Sequence, residues 1–243
     1  MFDRKQFEID KRSNAVAQNK DEGLRKLALD FVVQSDRYHY AYQWTWLGLP
    51  IVQLPADILA TQELIWDAKP DLIIETGIAW GGSIVMYASL LELLGNGEVI
   101  GIDRVLPQHN REAMEQYSFS QRITLLEGSS TDPAIIDVVK AKIKPGMKVM
   151  VLLDSNHTHD HVLDELRLYG PMVTPGQWLV VSDTIVEDIP PQTHRPRPWG
   201  PGNNPKTAMY EYLRETDRFE EDEYINGKLL MTFTPNGFLR CVK

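Results

Sequence analysis

The chain has 243 residues, of which 43% are hydrophobic and 24% are charged, proportions typical of a globular protein. Its formal net charge of −9 argues against nucleic acid or an anionic membrane surface as the main partner, because both need a basic face. The single cysteine, Cys241, excludes an intrachain disulfide, and no apolar run approaches the ~18 residues of a membrane span. With no signal segment at the start, we expect a cytoplasmic protein.

The first 60 residues are predicted to form a helical N-terminal extension, and residues 61–243 the main unit of a single-domain protein. Within the extension, residues 38–57 hold five aromatic side chains and no lysine or arginine. This composition suits either a cover for the core or part of a substrate or subunit surface, and both interpretations stay open. We also expect the protein to be a homo-oligomer.

From residue 72 the pattern alternates between short apolar strands and helices. Strands are predicted at residues 72–75, 98–103, 123–127, 148–154 and 178–183. This alternation indicates an α/β fold with a mostly parallel sheet and helices on both faces. Residues 228–234 and 238–242, separated by Pro-Asn-Gly, predict a C-terminal antiparallel hairpin. Residues 185–205 contain six prolines, which predicts a loop that could close over a site.

The turn after the first of these strands predicts a nucleotide-like cofactor. Gly77 and Gly81 let the backbone approach a ligand, so that any side chain at Gly77 would obstruct it, and the following helix offers free N–H groups. Ala79 stands where the dinucleotide fingerprint has its second glycine, which argues against a pyrophosphate. Glu75, two residues before the first glycine, suits a cationic ligand, and Asp103 at the next strand end suits two ribose hydroxyls. This turn resembles motif I of class I S-adenosylmethionine-dependent methyltransferases.

Polar side chains follow three further strands. Ser129 and Ser130 could hydrogen-bond an adenine edge, and the alternative is that Ser130, Thr131 or Asp132 caps the next helix. Asp154 and Asp183 should meet in the crevice where parallel strands end. Two carboxylates with oxygen neighbours suit Mg²⁺, and the alternative is that one acid caps a helix while the other contacts the cofactor.

Three histidines follow Asp154 at a spacing of two residues. A compact zinc site usually has a different spacing and softer ligands, so zinc is not favoured. His157 lies on the turn above the strand and could be the general base for a substrate hydroxyl, because imidazole titrates near neutrality. A turn histidine that only hydrogen-bonds backbone is the alternative. His159 is the rival base, and His161 is expected to open the next helix.

Six motifs resemble the cephalosporin hydroxylase / rhamnosyl O-methyltransferase family. They lie at residues 46–58 (WLGLPIVQLPADI), 75–83 (ETGIAWGGS), 101–104 (GIDR), 152–166 (LLDSNHTHDHVLDEL), 175–184 (PGQWLVVSDT) and 200–208 (GPGNNPKTA). The resemblance covers roughly residues 40–240. It implies a Rossmann-like methyltransferase fold, bound S-adenosylmethionine, and often Mg²⁺ held by acids after the fourth and fifth strands. It favours methylation of a hydroxyl on a sugar or natural product, that is, a small-molecule or glycan acceptor.

The resemblance also suggests roles for individual residues. We expect Glu75 and Gly77 to hold the methionine part of the cofactor, and Asp103, Arg104, Ser129 and Ser130 to hold the adenosine part. Ala79, Gly81 and Ser83 are also expected to bind the cofactor. Asp154 is expected to serve both cofactor and catalysis, with His157 taking the proton. The expected metal residues are Asp154, Ser182 and Asp183.

Two departures from the family pattern affect the metal. Ser182 replaces a common glutamate, and Asn156 stands where an acid is common, so Mg²⁺ should bind weakly. Two other functions are compatible with the same crevice. One is an NAD-dependent oxidoreductase, which Ala79 disfavours, and the other is a non-catalytic cofactor-binding partner subunit, which the altered metal acids would suit.

Overall fold

A seven-stranded β-sheet lies at the centre of the computed structural model, which describes residues 3–191 and 195–243. The strands are β1 Thr45–Trp46, β2 Leu49–Pro50, β3 Leu72–Thr76, β4 Glu98–Asp103, β5 Ile123–Glu127, β6 Val149–Leu153, β7 Trp178–Val181, β8 Phe219–Glu221 and β9 Phe238–Cys241. β1 and β2 pair as a separate hairpin, and the other seven strands form the large sheet in the order β5-β4-β3-β6-β7-β9-β8. The first five are parallel, and β9 pairs antiparallel with both β7 and β8.

Helices cover both faces of this sheet. They are α1 Arg4–Asn19, α2 Glu22–Asp36, α3 Pro55–Ala68, α4 Gly82–Leu94, α5 Gln108–Glu115, α6 Pro133–Lys142, α7 His159–Tyr169, α8 Pro205–Glu215 and α9 Glu223–Lys228. The inner strands β3 and β6 are buried along their whole length, as expected for parallel strands covered on two faces. The predicted α/β, Rossmann-like architecture is therefore confirmed. Within the described part of the chain, no helix has the length and apolar character needed to cross a membrane.

The C-terminal antiparallel element differs in one respect from the predicted hairpin. The last strand, β9, is present, but its outer partner is β8, which precedes it by a whole helix. Residues 229–234 form no strand and make other contacts: the backbone N–H of Phe233 donates to Asp57 at 2.9 Å, its carbonyl accepts the N–H of Ile185, and the Thr232 hydroxyl donates to the Asp57 carboxylate. The sequence pattern of apolar alternation did not distinguish the two candidate partners.

The N-terminal residues form two helices that pack on opposite regions of the molecule. In α1, the Gln18 amide donates to the carbonyl oxygens of Gly227 and Lys228 at 2.9 and 3.2 Å, which fastens α1 to α9. In α2, Val32 packs with Leu54 and Ile185 in a small apolar cluster beside the proline-rich loop. The second contact brings the C-terminal end of α2 to the carboxyl edge of the sheet, where the candidate site lies.

The aromatic segment at residues 38–57 covers part of the core and also reaches the large cavity, while its role as a substrate or subunit surface stays a prediction. The short β1–β2 hairpin covers α4, where the indole N–H of Trp46 donates to Ser89 Oγ at 3.0 Å. Directly after it, residues 50–53 line the large cavity at the end of the sheet. The division into an extension at residues 1–60 and a main unit from residue 61 stays a prediction.

Candidate active site

A cavity of about 1060 Å³ opens at the carboxyl ends of β3, β4, β6 and β7. One half is lined by the turns that follow these strands. The other half is lined by the end of α2 and by the loop at residues 185–199, within the described residues. Pockets for single small ligands reach this size only at their upper limit, so the cavity has room for a cofactor and part of a second molecule.

The turn after β3 is held in a strained conformation by its neighbours. Gly77 has φ +90°, and a Cβ added there would lie 2.0 Å from the carbonyl oxygen of Asp154. Ala79 has φ +48°, a region that non-glycine residues adopt at a cost. Asp103 Oδ2 accepts the backbone N–H groups of Ile78 and Ala79 at 2.8 and 3.1 Å, which fixes the turn. The protein backbone alone therefore requires glycine at position 77. Gly77 also lines the cavity, and its contact with a cofactor stays a prediction.

Glu75 lies behind the cavity wall rather than in it. Its carboxylate accepts hydrogen bonds from Ser83 Oγ at 2.7 Å and Tyr87 OH at 2.8 Å, and the residue is 1% exposed. Burial raises the pKa of Glu75 to about 8, because the ionised form loses water and gains only two hydroxyl donors. Ser83 does line the cavity, so the Glu75 carboxylate reaches the site through this hydroxyl.

The remaining predicted cofactor residues divide between the two sides of the wall. Gly81 packs on Met114, with a hypothetical Cβ 2.5 Å from the Met114 sulfur, and does not line the cavity. The others that line it are Gly77, Ala79, Asp103, Arg104, Ser129, Ser130 and Asp154. The structure thus brings the predicted adenosine residues into one wall and leaves Glu75 and Gly81 behind it.

Asp154, His157 and Asp183 come together above the ends of β6 and β7. One ligand atom from each lies within 4.8 Å of the others, and His157 Nε2 is 3.1 Å from Asp183 Oδ2. Burial, followed by the Asp183 carboxylate, raises the pKa of Asp154 well above its usual range. Two carboxylates this close together repel each other, and a divalent cation bound by their oxygens would offset that repulsion.

The two departures from the family pattern lie at the edge of this cluster. Ser182 lines a small void of about 20 Å³ together with Asp154 and Asp183, and is absent from the wall of the large cavity. Asn156 Oδ1 accepts the backbone N–H of Thr158 at 3.0 Å, so this oxygen already caps the turn before α7. Asp183 itself has φ +55°, and such strain in a non-glycine residue is typical of functional sites.

The three histidines point in different directions. His157 faces Asp183, while the His159 ring contacts Thr207 Oγ1 at 2.8 Å and Glu211 at 3.3 Å on α8. They therefore share no metal site, and His159 ties two helices together away from the cavity. His159 also opens α7, two residues before the predicted start at His161.

His161 belongs to a polar network that the sequence pattern did not predict. Its Nε2 lies 3.0 Å from Ser155 Oγ and 3.2 Å from Ser130 Oγ, and 3.4 Å from the wholly buried carboxylate of Glu165. That carboxylate, as the strongest hydrogen-bonding partner, raises the pKa of His161. Tyr169 OH donates to the Ser130 carbonyl at 2.7 Å. The spacing of four residues between His161 and Glu165 on a helix was the available signal.

The wall opposite the strand ends was also not identified from the sequence in detail. Arg195 NH2 is 3.0 Å from Asp36 Oδ1, and its NH1 donates to Tyr42 OH at 3.1 Å, which joins the loop to α2. The Trp199 ring packs edge-on against His157, with centroids 4.8 Å apart, and the Arg197 guanidinium lies 5.3 Å above Trp199. The proline-rich composition predicted a loop near the site but not which side chains it would bring.

Comparisons with known proteins identify the family of this chain. The family model described as Rhamnosyl O-methyltransferase/CmcI matches residues 38–242. The rhamnosyl O-methyltransferase of Mycobacterium tuberculosis is 29% identical over 238 residues, which cover 89% of this chain and 92% of the relative. The rhamnosyl O-methyltransferase of Mycobacterium leprae is 31% identical over 210 residues, which cover 83% of this chain and 86% of the relative.

Solved structures share the fold. An apo structure of CmcI superposes with a TM-score of 0.58 at 22% identity, covering 83% of this chain and 77% of CmcI. A CmcI structure described with Mg and SAM gives 0.57 at 21% identity, covering 86% and 84%. An O-methyltransferase from Bacillus cereus in complex with SAH gives 0.51 at 14% identity, covering 79% and 81%.

Proposed function

The chain belongs to the rhamnosyl O-methyltransferase/CmcI family and is an S-adenosylmethionine-dependent O-methyltransferase, and we propose that it methylates a hydroxyl of a sugar or glycosylated small molecule. The methylation of a hydroxyl acceptor is supported by the clustering of Asp154, His157 and Asp183 in a cavity that has room for a cofactor and part of a second molecule. The family match does not favour the two alternatives, an NAD-dependent oxidoreductase and a non-catalytic subunit.

The cofactor occupies the half of the cavity at the ends of β3, β4 and β5 in this proposal. Asp103 lies at the end of β4, where it accepts ribose hydroxyls while holding the turn after β3. Ser129 and Ser130 border the adenine, and Arg104 flanks the adenosine. Ser83, backed by the Glu75 carboxylate, faces the methionine part. The carboxylates nearby suit a ligand with a sulfonium and an ammonium group.

Asp154 and Asp183 hold Mg²⁺ in this proposal, and His157 is the base. Mg²⁺ prefers oxygen ligands, which favours the two carboxylates over the imidazole. When bound there, the ion supplies positive charge that favours the ionised form of the acceptor hydroxyl. With Nε2 of His157 donating to Asp183, Nδ1 is the nitrogen left to accept the hydroxyl proton. The acceptor oxygen then attacks the methyl carbon as the carbon–sulfur bond breaks, so positioning supplies most of the rate.

Turnover of S-adenosylmethionine with a panel of rhamnosides tests the proposal, with added Mg²⁺ in one arm and a chelator in the other. We expect methyl transfer that the chelator depresses and added Mg²⁺ restores. His157→Ala should lower turnover by on the order of 10²–10⁴ with cofactor binding kept. His159→Ala is the matched control, because this histidine contacts α8 and does not line the cavity.

The same experiment separates the base role of His157 from a role as a third metal ligand. Asp154→Asn should raise the Mg²⁺ concentration needed for half-maximal rate. If excess Mg²⁺ restores the rate of His157→Ala, the imidazole is a ligand and the base assignment fails. An enzyme insensitive to chelator would instead leave the two aspartates as hydrogen-bonding residues.

A cytoplasmic location and a homo-oligomeric state also remain predictions.

A further inference from the structure

The charged side chains that line the cavity divide by sign between its two halves. The half at the strand ends has three acids and one arginine: Asp103, Arg104, Asp154 and Asp183. The half formed by α2 and the loop has one acid and three arginines: Asp36, Arg37, Arg195 and Arg197. A positive wall is unexpected in a chain with a net charge of −9. It lies where the acceptor, not the cationic cofactor, would bind.

The acids of the same loop are held away from the cavity by contacts within the described residues. Glu187 Oε2 accepts the backbone N–H of Gly202 at 2.7 Å and also the Asn204 amide. Asp188 pairs with Lys206 at 2.6 Å. Neither acid lines the cavity. The arginines of the loop therefore face the cavity, whereas its acids stabilise the loop itself.

The three arginines differ in what they contact. Arg195 binds Asp36 and Tyr42, and these contacts hold the loop against α2. Arg197 and Arg37 are exposed, and their contacts within residues 3–191 and 195–243 are with aromatic faces, at 5.3 Å to Trp199 and 4.7 Å to Tyr38. A guanidinium stacked on a ring keeps its in-plane N–H donors available, which suits bidentate binding of an anion.

Trp199 relates this positive charge to the reacting centre. Its ring has the His157 ring at its edge, 4.8 Å between centroids, and the Arg197 guanidinium over it. An anion on Arg197 is therefore about one ring away from a hydroxyl whose proton His157 accepts. This separation matches an acceptor in which the methylated sugar ring carries, or is directly joined to, the negative group.

We propose that the acceptor is an anionic sugar derivative, with a phosphate or carboxylate bound by Arg197 and Arg37 and its methylated ring beside Trp199. The proposal rests on the proposed O-methyltransferase function and narrows its substrate class. The negative group has two possible sources. A sugar phosphate or a nucleoside diphosphate sugar supplies a phosphate, and an acidic glycan supplies a carboxylate. Charge-assisted hydrogen bonds contribute about 1.5–3 kcal/mol, which corresponds to about 10- to 150-fold in kcat/KM.

The test compares acceptors that differ in charge, at saturating S-adenosylmethionine and Mg²⁺. Methyl rhamnoside is the neutral acceptor, rhamnose 1-phosphate and a nucleoside diphosphate rhamnose are the phosphate arm, and a rhamnosyl uronic acid disaccharide is the carboxylate arm. We expect one anionic arm to exceed the neutral acceptor by at least 10-fold in kcat/KM. Arg197→Gln should remove most of this advantage, Arg37→Gln part of it, and Arg197→Lys should retain part of it.

Arg214→Gln is the matched control, because this exposed arginine on α8 does not line the cavity. Equal kcat/KM for charged and neutral acceptors would overturn the inference while leaving the O-methyltransferase function intact. If no acceptor is turned over, each acceptor is titrated into protein loaded with S-adenosylhomocysteine. Equal affinities for the charged and the neutral acceptors would then overturn the inference. Failure to bind S-adenosylmethionine in calorimetry would remove the proposed function and this inference with it.

Discussion

The two halves of the cavity are held in place by different means. In the cofactor half, Glu75 and Asp103 lie on strands of the sheet, and Asp154 follows the next strand directly. In the acceptor half, a loop and a helix from distant parts of the chain are joined by side chains, of which Arg195 and Asp36 are 159 residues apart. The first half therefore shares its rigidity with the core, whereas the second can change its side chains without disturbing the sheet. In the proposed function, the half at the strand ends binds the constant cofactor and the half formed by α2 and the loop binds the acceptor, which differs between members of a family.

The most severe test of this comparison is a side chain at Gly77. Gly77→Ala places a Cβ against the Asp154 carbonyl oxygen at 2.0 Å and forces φ +90° on a residue that disfavours it. We expect a loss of roughly 3 kcal/mol or more in the free energy of unfolding, measured by denaturant titration. Cofactor binding should be lost together with the stability of the β3–β6 region of the sheet.

Gly146→Ala is the matched control, with φ +83° and open space around the added Cβ. It should cost only the conformational strain, about 1–2 kcal/mol. Equal losses for the two variants would mean that the turn can shift away from Asp154, and the cofactor half would then be no more rigid than a loop.

Glu75→Gln tests whether the buried carboxyl belongs to the cofactor half. Because the folded-state pKa of about 8 lies above the usual 4.5, the folded protein binds the extra proton between these values, and stability falls as pH rises through that window. The variant should flatten this fall by up to about 1.4 kcal/mol per pH unit. Denaturant titrations from pH 5 to pH 8 measure the slope.

The same variant should alter the protons released when the cofactor binds. A sulfonium near Glu75 favours the ionised carboxyl, so binding at pH 7 should release protons, and S-adenosylhomocysteine, which lacks the sulfonium, should release fewer. Calorimetry in two buffers of different ionisation enthalpy measures this release. Asp57→Asn is the control, because burial also raises the pKa of Asp57, to about 7, beneath a different part of the site. Unchanged proton release in Glu75→Gln would separate this carboxyl from the cofactor.

Asp103→Ala should weaken S-adenosylmethionine binding by roughly 1.5–3 kcal/mol, or about 10- to 150-fold in Kd. The carboxylate that would accept the ribose hydroxyls also holds the N–H groups of Ile78 and Ala79, so both losses act on the cofactor half. Calorimetry gives the affinity, and Asp103→Asn, which keeps one acceptor oxygen, should lie between wild type and alanine. An unchanged affinity would remove Asp103 from the cofactor site.

The contrast between the halves also explains what could be predicted from the sequence. Strand ends follow from local apolar patterns, and parallel strands bring their carboxyl ends to one edge, so the sequence alone sufficed to place Asp103, Asp154 and Asp183. Arg37 and Arg197 could not be placed in this way, because their position depends on how α2 docks beside a proline-rich loop, and no local pattern encodes that contact. The strand β8 was missed for the same reason: its pairing with β9 is a long-range choice between two short candidates.

The smallest expected effect concerns His161, at the base of the cofactor half. The Glu165 carboxylate raises the pKa of His161 in the folded protein, so the interaction stabilises the fold fully below the unfolded value near 6.5 and is lost as pH rises through the folded value. His161→Gln should cost about 1 kcal/mol at pH 6 and less at pH 8.5, measured by denaturant titration. His159→Gln, which breaks contacts to α8 instead, is the matched control for helix α7.

The His161→Gln variant should also raise the KM for the cofactor several-fold with kcat kept, because His161 Nε2 contacts Ser130 and Ser155. A loss that is the same at both pH values, with an unchanged KM, would make the network a structural tie outside the cofactor half.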